Sequence, residues 1–163
     1  MDAKAQTGKL WIDPDEIEVV RSFLACGVRF LVVGGRAVQF HGYMRPAKDL
    51  DLLVKFSATN WDSLLRALRP LNAAVPTFAA LSAERRYQAR LDFYPSVEFL
   101  TAIEGVTFEE AWSDAFEAIV DDLTVRILSK GHLISSKASS PRVSDAQDAA
   151  ALRAIGNVRA RDM

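Results

Sequence analysis

The sequence is poor in the residues from which many metal and redox sites are built. Cys26 is the only cysteine among 163 residues, and His41 and His132 are the only histidines. A disulfide framework and a cysteine-based zinc site are therefore excluded, and we expect no catalytic histidine pair. An excess of charge of one sign is also missing, because the net charge is −1 and the pI is about 6.1. The chain thus lacks the strongly basic field of a protein that coats duplex nucleic acid.

Long apolar runs, internal repeats and low-complexity segments are missing as well. No apolar run reaches the ~18 residues of a membrane span, and the N-terminal "MDAKAQTGKLWIDPDE" has no apolar signal core. We therefore expect a cytoplasmic protein with no membrane partner. Half of the residues are hydrophobic and 25% are charged, as in ordinary globular proteins. The length predicts a single domain over residues 1–163, with loose ends at residues 1–12 and 156–163.

The apolar patterns predict helices mixed with paired strands. A helix begins after Asp13, which forms a capping-box pattern with Glu16, and it ends at Gly27. The run "RFLVVG" predicts a strand that is covered on both faces. Residues 74–84 give no clear pattern. The other predictions are a short helix at 35–43, a strand at 49–56, a helix at 57–71, strands at 85–95 and 96–103, a helical turn at 107–112, a hairpin at 116–128 and two terminal helices. This order predicts an α+β, or mixed α/β, fold with a mixed sheet flanked by helices.

Two carboxylates open the strand "DLDLLVKF". Asp49 and Asp51 are two residues apart, so both side chains point to one side, with Cα atoms roughly 7 Å apart, while the intervening leucines point into the core. Adjacent like charges raise each other's pKa. A Mg²⁺ ion bound with phosphate oxygens reverses that penalty, so the pair suits half of a metal–phosphate site. The alternative is a solvated strand end whose carboxylates pair with Arg45 and Lys48.

A glycine pair stands where the preceding strand ends. Gly34 and Gly35 open the predicted short helix, whose free N–H groups and dipole attract anions. The missing side chain lets a phosphate approach the backbone. The segment is not a P-loop, because no Gly-Lys-Ser/Thr follows, and two adjacent glycines do not make a dinucleotide fingerprint. The alternative reading is a tight strand–helix turn.

The whole segment "VVGGRAVQFHGYMRPAKDLDLLV" resembles the nucleotidyltransferase superfamily that shares the fold of DNA polymerase beta. Within it, the segment is most similar to a small bacterial branch related to abortive-infection and toxin–antitoxin nucleotidyltransferases, and the resemblance spans residues 30–152. It implies the nucleotidyltransferase fold and transfer of an NMP from an NTP substrate. It also implies Mg²⁺ or Mn²⁺ as cofactor, a hydroxyl of RNA, protein or a small molecule as acceptor, and a cognate toxin or antitoxin as partner.

The resemblance also implies roles for individual residues. Asp49 and Asp51 would be metal ligands and catalytic, together with a third carboxylate from a later strand. That carboxylate maps to Glu98, with Asp92 as its substitute. Alternation along the strand supports Glu98, because Val97 then takes the buried face. The residues expected to bind the nucleotide are Gly34, Gly35, Arg36, Arg45, Lys48 and Lys137.

Two positions depart from the pattern of the branch. Glu98 stands where the branch more often has aspartate, which moves the carboxylate outward by roughly 1.5 Å, and Ala47 stands where threonine is common. The first departure keeps open an alternative, a catalytically degenerate binding module that acts as an antitoxin-like or scaffolding partner. Nucleotide hydrolysis is a third possibility. On the terminal helices, Lys137, Arg142 and Asp145 are either part of the site or a solvated face.

Overall fold

The helices and strands come from a computed structural model that describes residues 9–81 and 86–159. The helices are α1 (Pro14–Ala25), α2 (Gly34–Phe40), α3 (Ala58–Leu68), α4 (Phe78–Leu81), α5 (Phe108–Ser113), α6 (Lys130–Ala138) and α7 (Val143–Arg159). The strands are β1 (Phe30–Val33), β2 (Leu50–Val54), β3 (Gln88–Leu91), β4 (Tyr94–Leu100), β5 (Phe116–Val120) and β6 (Leu123–Ile127). A 3₁₀ turn at Arg69–Leu71 follows α3.

The six strands form one mixed sheet in the order β3-β4-β2-β1-β6-β5. Strand β1 runs antiparallel to β2 and parallel to β6, while β2 runs parallel to β4. Two antiparallel hairpins, β3–β4 and β5–β6, supply the outer strands. The predicted α+β class, with a mixed sheet flanked by helices, is confirmed.

The core lies mainly between the sheet and helices α1 and α3. The ring of Phe23 on α1 meets that of Phe30 on β1 edge to face at 5.5 Å, and Trp61 on α3 meets Phe99 on β4 at 6.2 Å. Aromatic pairs in this geometry add stability beyond the area that they bury. All four residues of β1 are buried, which agrees with the continuous apolar run that predicted a covered strand. Helices α1 and α3 therefore pack on the apolar face of the sheet, opposite the polar face of β2 and β4.

Helix α1 begins as the sequence predicts, and the described residues just before it contact the rest of the fold. The backbone N–H of Asp13 donates to Glu16 Oε1 at 2.8 Å, which completes the capping box. Leu10 is buried in the core, and the carbonyl of Trp11 accepts a hydrogen bond from Arg36 at 2.7 Å. Residues 9–12 are thus fixed by burial and by a buried arginine, while residues 1–8 and 160–163 lie outside the described residues. At the other end, α7 continues to Arg159.

Two further predictions can be compared with the structure. The hairpin at 116–128 turns at Asp121 and Asp122 as expected, with Asp121 in the left-handed region at φ 54°. The segment at 74–84, which gave no pattern, contains the single helical turn α4, and residues 82–85 lie outside the described part. Over the described residues, no helix combines the length and the apolar composition needed to cross a membrane.

Candidate active site

Adjacent strands β2 and β4 bring the three predicted carboxylates to one face of the sheet. Asp51 and Glu98 are direct partners in the parallel register, and Asp49 lies two residues before Asp51. Neighbouring strands are ~4.8 Å apart, so the backbones of Asp51 and Glu98 are separated by about that distance. Val97 and Phe99, on either side of Glu98, are fully buried on the opposite face, as the alternation predicted.

Asp92, the substitute for Glu98, lies elsewhere. Leu91 pairs with Tyr94, so Asp92 is in the exposed tight turn of the β3–β4 hairpin. Glu98 lies four residues after Tyr94 along β4, a distance of roughly 13 Å at ~3.3 Å per residue. The assignment of Asp92 as a substitute ligand is therefore wrong, because the hairpin turn carries it away from Asp51.

Asp51 is the most perturbed carboxylate of the site. Burial, followed by the like charges of Glu98 and Asp49, raises the pKa of Asp51 to about 6. Lys137 and Arg90 act in the opposite direction without cancelling the rise. A cationic ligand is what this carboxylate lacks, since a nearby positive charge would favour its ionised form.

Position 34 requires glycine for two reasons, its backbone conformation and the closeness of Asp51. Its φ of +66° lies in the left-handed region, which side chains with a Cβ rarely adopt. A Cβ built on Gly34 would also lie only 2.1 Å from Asp51 Oδ2. The first glycine of the pair therefore leaves room for the central carboxylate.

Gly35 has a different reason to be glycine. It is buried in the first turn of α2, and a Cβ there would lie 2.7 Å from Ala47 Cβ and 3.1 Å from Arg45 Nη1. The space beside Gly35 is thus filled by the loop that leads into β2. Any contact of Gly35 with a phosphate would therefore use its backbone N–H.

Arg36 is a structural residue, and its assignment to nucleotide binding is wrong. Its side chain is 5% exposed and forms a bidentate ion pair with Glu16 at 2.9 and 3.1 Å. The remaining N–H groups donate to the carbonyls of Ala47, Lys48 and Trp11 at 2.7 to 3.2 Å. All five donors of a guanidinium are then engaged, so none remains for a phosphate. Arg36 instead ties α2 to the chain on both sides of it.

Arg90 contacts the site although the sequence analysis did not select it. It lies on β3 directly opposite Glu98. Its Nη1 and Nη2 donate to the two carboxylate oxygens of Asp49 at 3.1 and 3.2 Å, and Nη2 also donates to Glu98 Oε2 at 3.3 Å. The hydrogen bond from Arg90 is the main reason that the pKa of Asp49 lies below its usual value. The available signal was the hairpin register, which pairs residue 90 with residue 98.

A second charged cluster connects the loop before β2 with α6 and α7. Arg45 donates from Nε and Nη2 to both oxygens of Asp148, each at 2.8 Å. Lys137 Nζ lies 3.1 Å from Asp148 and 2.9 Å from Asp145. Burial tends to raise the pKa of Asp148, but the hydrogen bonds from Arg45 and Lys137 outweigh it, so the pKa is lowered.

This cluster changes two earlier interpretations. Arg45 pairs with Asp148, so the reading in which it balances Asp49 and Asp51 at rest is wrong for Arg45. Lys48 is exposed, and across the described residues no ion pair of its ammonium group is found. Lys137 is only 14% exposed, so it does not belong to a solvated helix face. Asp148 was missed because its partner lies 103 residues away in the sequence.

A cleft of about 610 Å³ joins the two clusters. This volume lies within the range of small-ligand sites, ~300–1,000 Å³. Its walls come from the start of α2, the loop before β2, strand β4 and the α6–α7 corner. The site residues that line it are Gly34, Gly35, Arg45, Lys48, Asp49, Asp51, Glu98, Lys137, Arg142 and Asp145.

The side chains of the cleft include oxygen donors of the kind that bind divalent cations. Within residues 9–81 and 86–159, no three side chains of histidine, cysteine, aspartate or glutamate lie close enough together to hold a metal ion. Asp49 and Glu98 instead accept hydrogen bonds from Arg90. The residue types nevertheless suit Mg²⁺, because Asp49, Asp51 and Glu98 lie on one face of the sheet and carboxylate oxygens are the hard ligands that it prefers. Asp51 in particular carries a charge that no partner offsets fully.

Comparisons with known proteins agree with this architecture. No protein-family model matches the sequence, and no curated protein matches it. Among solved structures, the chain is similar to the lincosamide antibiotic adenylyltransferase LnuA in its lincomycin-bound crystal structure, with a TM-score of 0.58. The identity is 16%, and the match covers 90% of this chain and 99% of that chain. At this identity the likeness shows the fold alone, and the predicted nucleotidyltransferase fold is confirmed.

Proposed function

We propose that the protein is a metal-dependent nucleotidyltransferase that moves an NMP from an NTP to an acceptor hydroxyl. One observation carries the proposal. Asp51, with a pKa raised to about 6 by burial and by Glu98 and Asp49, places its carboxylate against Gly34 in the cleft. A buried group with a strongly perturbed pKa in a cleft is typical of functional sites. The fold that the chain shares with an antibiotic adenylyltransferase supports the same reaction class.

Asp49, Asp51 and Glu98 are the residues that would hold Mg²⁺ or Mn²⁺. When bound, such an ion neutralises phosphate charge and lowers the pKa of a hydroxyl that attacks phosphorus. The positions of the three carboxylates support a different role for Glu98 than for the aspartates. Asp51 lies against Gly34 at the start of α2, where the nucleotide would enter, whereas Glu98 lies one strand further out. We therefore assign the nucleotide side to the aspartates and the acceptor side to Glu98.

The nucleotide would lie between the start of α2 and the α6–α7 corner. Backbone N–H groups of Gly34 and Gly35 would contact its phosphates, and the charges of Lys48, Arg45 and Lys137 line the same cleft. The acceptor oxygen would attack the α-phosphorus, the bond to the bridging oxygen would break, and pyrophosphate would leave. Positioning and charge stabilisation supply most of the rate gain in such reactions.

The acceptor and the cellular context belong to the same proposal. RNA, a protein side chain and a small molecule each carry a suitable hydroxyl, and a cognate toxin or antitoxin remains the partner that the sequence resemblance implies. The likeness to LnuA, an antibiotic adenylyltransferase crystallised with lincomycin, makes a small hydroxylated molecule the first acceptor to test.

A binding module without turnover is the second candidate. The observation in its favour is the guanidinium of Arg90, which already neutralises Asp49 and Glu98. A site with its own internal cation has less need of a metal. Such a module would bind nucleotide or partner protein but would leave every acceptor pool unlabelled.

Transfer from labelled nucleotide separates the two candidates. The protein is incubated with Mg²⁺ and α-³²P NTPs in the presence of cellular RNA, protein and small-molecule fractions. We expect one fraction to become labelled, and Asp51→Asn to abolish the label. Asp122→Asn is the matched control, because Asp122 is an exposed aspartate in the β5–β6 turn, away from the cleft.

Glu98→Gln sharpens the same assay. We expect labelling to fall by at least ~100-fold, the scale for losing a group that acts in the transition state, while nucleotide binding stays nearly unchanged. If the parent protein binds nucleotide but labels none of the fractions, the result would favour the binding module.

A further inference from the structure

Arg90 occupies the place that a cation would take in the proposed reaction. Its guanidinium spans both oxygens of Asp49 and reaches Glu98 on the neighbouring strand. Nη1 also donates to the carbonyl of Pro95. One side chain thus bridges two of the three carboxylates that would bind the metal.

We propose that Arg90 is the resting counterion of Asp49 and Glu98, and that the triphosphate of an incoming NTP draws it away, so that metal binding depends on the nucleotide. This inference rests on the proposed function. Arg90 is a positioning residue. It holds the two carboxylates before the nucleotide binds and the phosphates afterwards.

Competition follows from charge and geometry. A Mg²⁺ ion binds carboxylate oxygens at about 2.0–2.1 Å, whereas the Arg90 nitrogens lie 3.1 and 3.2 Å from the same two oxygens of Asp49. Both cations would therefore stand within a few ångströms of each other, and their repulsion at such distances is substantial. The metal and the guanidinium therefore weaken each other's hold on Asp49, and loss of either one strengthens binding of the other.

Arg90 is free to be the one that leaves. It lies on β3, the edge strand of the sheet, and its side chain is 47% exposed. Arg36 shows the opposite arrangement, since its guanidinium is buried and uses every donor. The planar fork of an arginine matches two phosphate oxygens as well as two carboxylate oxygens. Asp49 and Glu98, the partners of Arg90, line the cleft, so a triphosphate bound beside them would offer Arg90 an equivalent partner.

Glu98 keeps a second hydrogen bond when Arg90 moves. Gln88 Nε2, on the same strand as Arg90, donates to Glu98 Oε1. The amide of Gln88 can orient Glu98 without repelling a metal ion, because the amide carries no charge. The arrangement therefore separates the two tasks, with Gln88 orienting Glu98 and Arg90 offsetting its charge at rest.

The test measures Mn²⁺ binding in the absence of nucleotide by calorimetry. We expect Arg90→Gln to bind Mn²⁺ about tenfold more tightly than the parent, because a competing unit charge is removed. Arg90→Lys keeps the charge but loses the fork, so its affinity should lie between the two. Arg86→Gln is the matched control. It removes one positive charge from the lining of the cleft, but Arg86 pairs with Glu104 and not with Asp49 or Glu98, so its Mn²⁺ affinity should change less than twofold.

A second arm adds α,β-methylene analogues of the NTPs together with Mn²⁺. Arg90→Gln should now bind the analogue about tenfold more weakly than the parent, because the triphosphate loses a charge-assisted fork. Unchanged analogue binding would overturn the transfer of Arg90 to the phosphates. Mn²⁺ affinity that is equal in the parent and Arg90→Gln, or raised equally in Arg86→Gln, would overturn the competition.

The outcomes separate this inference from the proposed function. Labelling that depends on Asp51, combined with Mn²⁺ affinity that does not respond to Arg90, removes the inference and leaves the function. Tighter Mn²⁺ binding in Arg90→Gln without any labelled acceptor removes the function and leaves the counterion role. Absence of Mn²⁺ binding in every variant, both without and with the NTP analogue, contradicts both.

Discussion

At the scale of single residues, the ionised side chain of Asp51 lowers the folding stability of the protein. Its pKa is raised to about 6 by burial and by its two carboxylate neighbours, so the folded protein holds this proton more tightly than the unfolded chain does. The ionised carboxylate therefore lowers stability. That loss grows as the pH rises from about 3.8 to about 6 and is complete above this range.

Asp51→Asn should therefore stabilise the metal-free protein at pH 8, by at most ~3 kcal/mol for a pKa rise of this size. This gain in unfolding free energy should shrink as the pH falls through 6. It should vanish below 4, where Asp51 is protonated in both the folded and the unfolded parent protein. Urea unfolding at several pH values between 4 and 8 measures it. Asp122→Asn should not stabilise the protein, because Arg21 lowers the pKa of Asp122. Equal stability of Asp51→Asn and the parent at pH 8 would contradict the burial of this charge.

Gly34 allows a comparison that isolates one contact. Gly34 and Gly27 both have positive φ, at 66° and 72°, but a Cβ on Gly27 would meet nothing within 4 Å. Gly27→Ala should cost about 1 kcal/mol from backbone strain alone. Gly34→Ala should cost clearly more, because its Cβ would displace the carboxylate of Asp51. Similar losses in unfolding free energy for the two variants would show that Asp51 yields to the methyl group at no cost.

At the scale of elements, the first part of the site could be predicted from the sequence and the rest could not. The buried strand, the glycine pair and Asp49 and Asp51 lie within one local segment, so periodicity and residue type were sufficient. Arg90 was missed because its place opposite Glu98 depends on the register of a hairpin. Asp148 was missed because its pairing with Arg45 joins elements distant in the chain. Arg36 was misassigned because sequence does not reveal that Glu16 binds it in the interior.

The α6–α7 corner is held to the loop before β2 by Asp148. This carboxylate is 2% exposed and serves both Arg45 and Lys137. Asp148→Asn should lower the free energy of unfolding by roughly 2–4 kcal/mol, because two partly buried cations lose one partner. Asp145→Asn should cost less, since Asp145 does not contact Arg45 and Lys137 keeps Asp148. Chemical unfolding compares the two, and equal losses would contradict the central place of Asp148.

At the scale of the whole molecule, the sheet order explains why distant segments share one cleft. Strands β2 and β4 are parallel neighbours although β3 and two helices lie between them in the chain. Parallel pairing places Glu98 beside Asp51, and the last two helices form the other wall through Lys137 and Asp145. The cleft therefore depends on the complete arrangement of the sheet, and its carboxylates and cations face each other across a space of ligand size.

Calorimetry of an α,β-methylene NTP analogue with and without Mg²⁺ tests the account most directly. In the parent protein, we predict that Mg²⁺ tightens binding of the analogue by at least ~10-fold, equivalent to ~1.4 kcal/mol. In the double variant Asp49→Asn with Asp51→Asn, the analogue should bind with the same affinity whether or not Mg²⁺ is present. Equal affinity with and without Mg²⁺ in the parent protein would contradict a metal-dependent nucleotide site at these carboxylates.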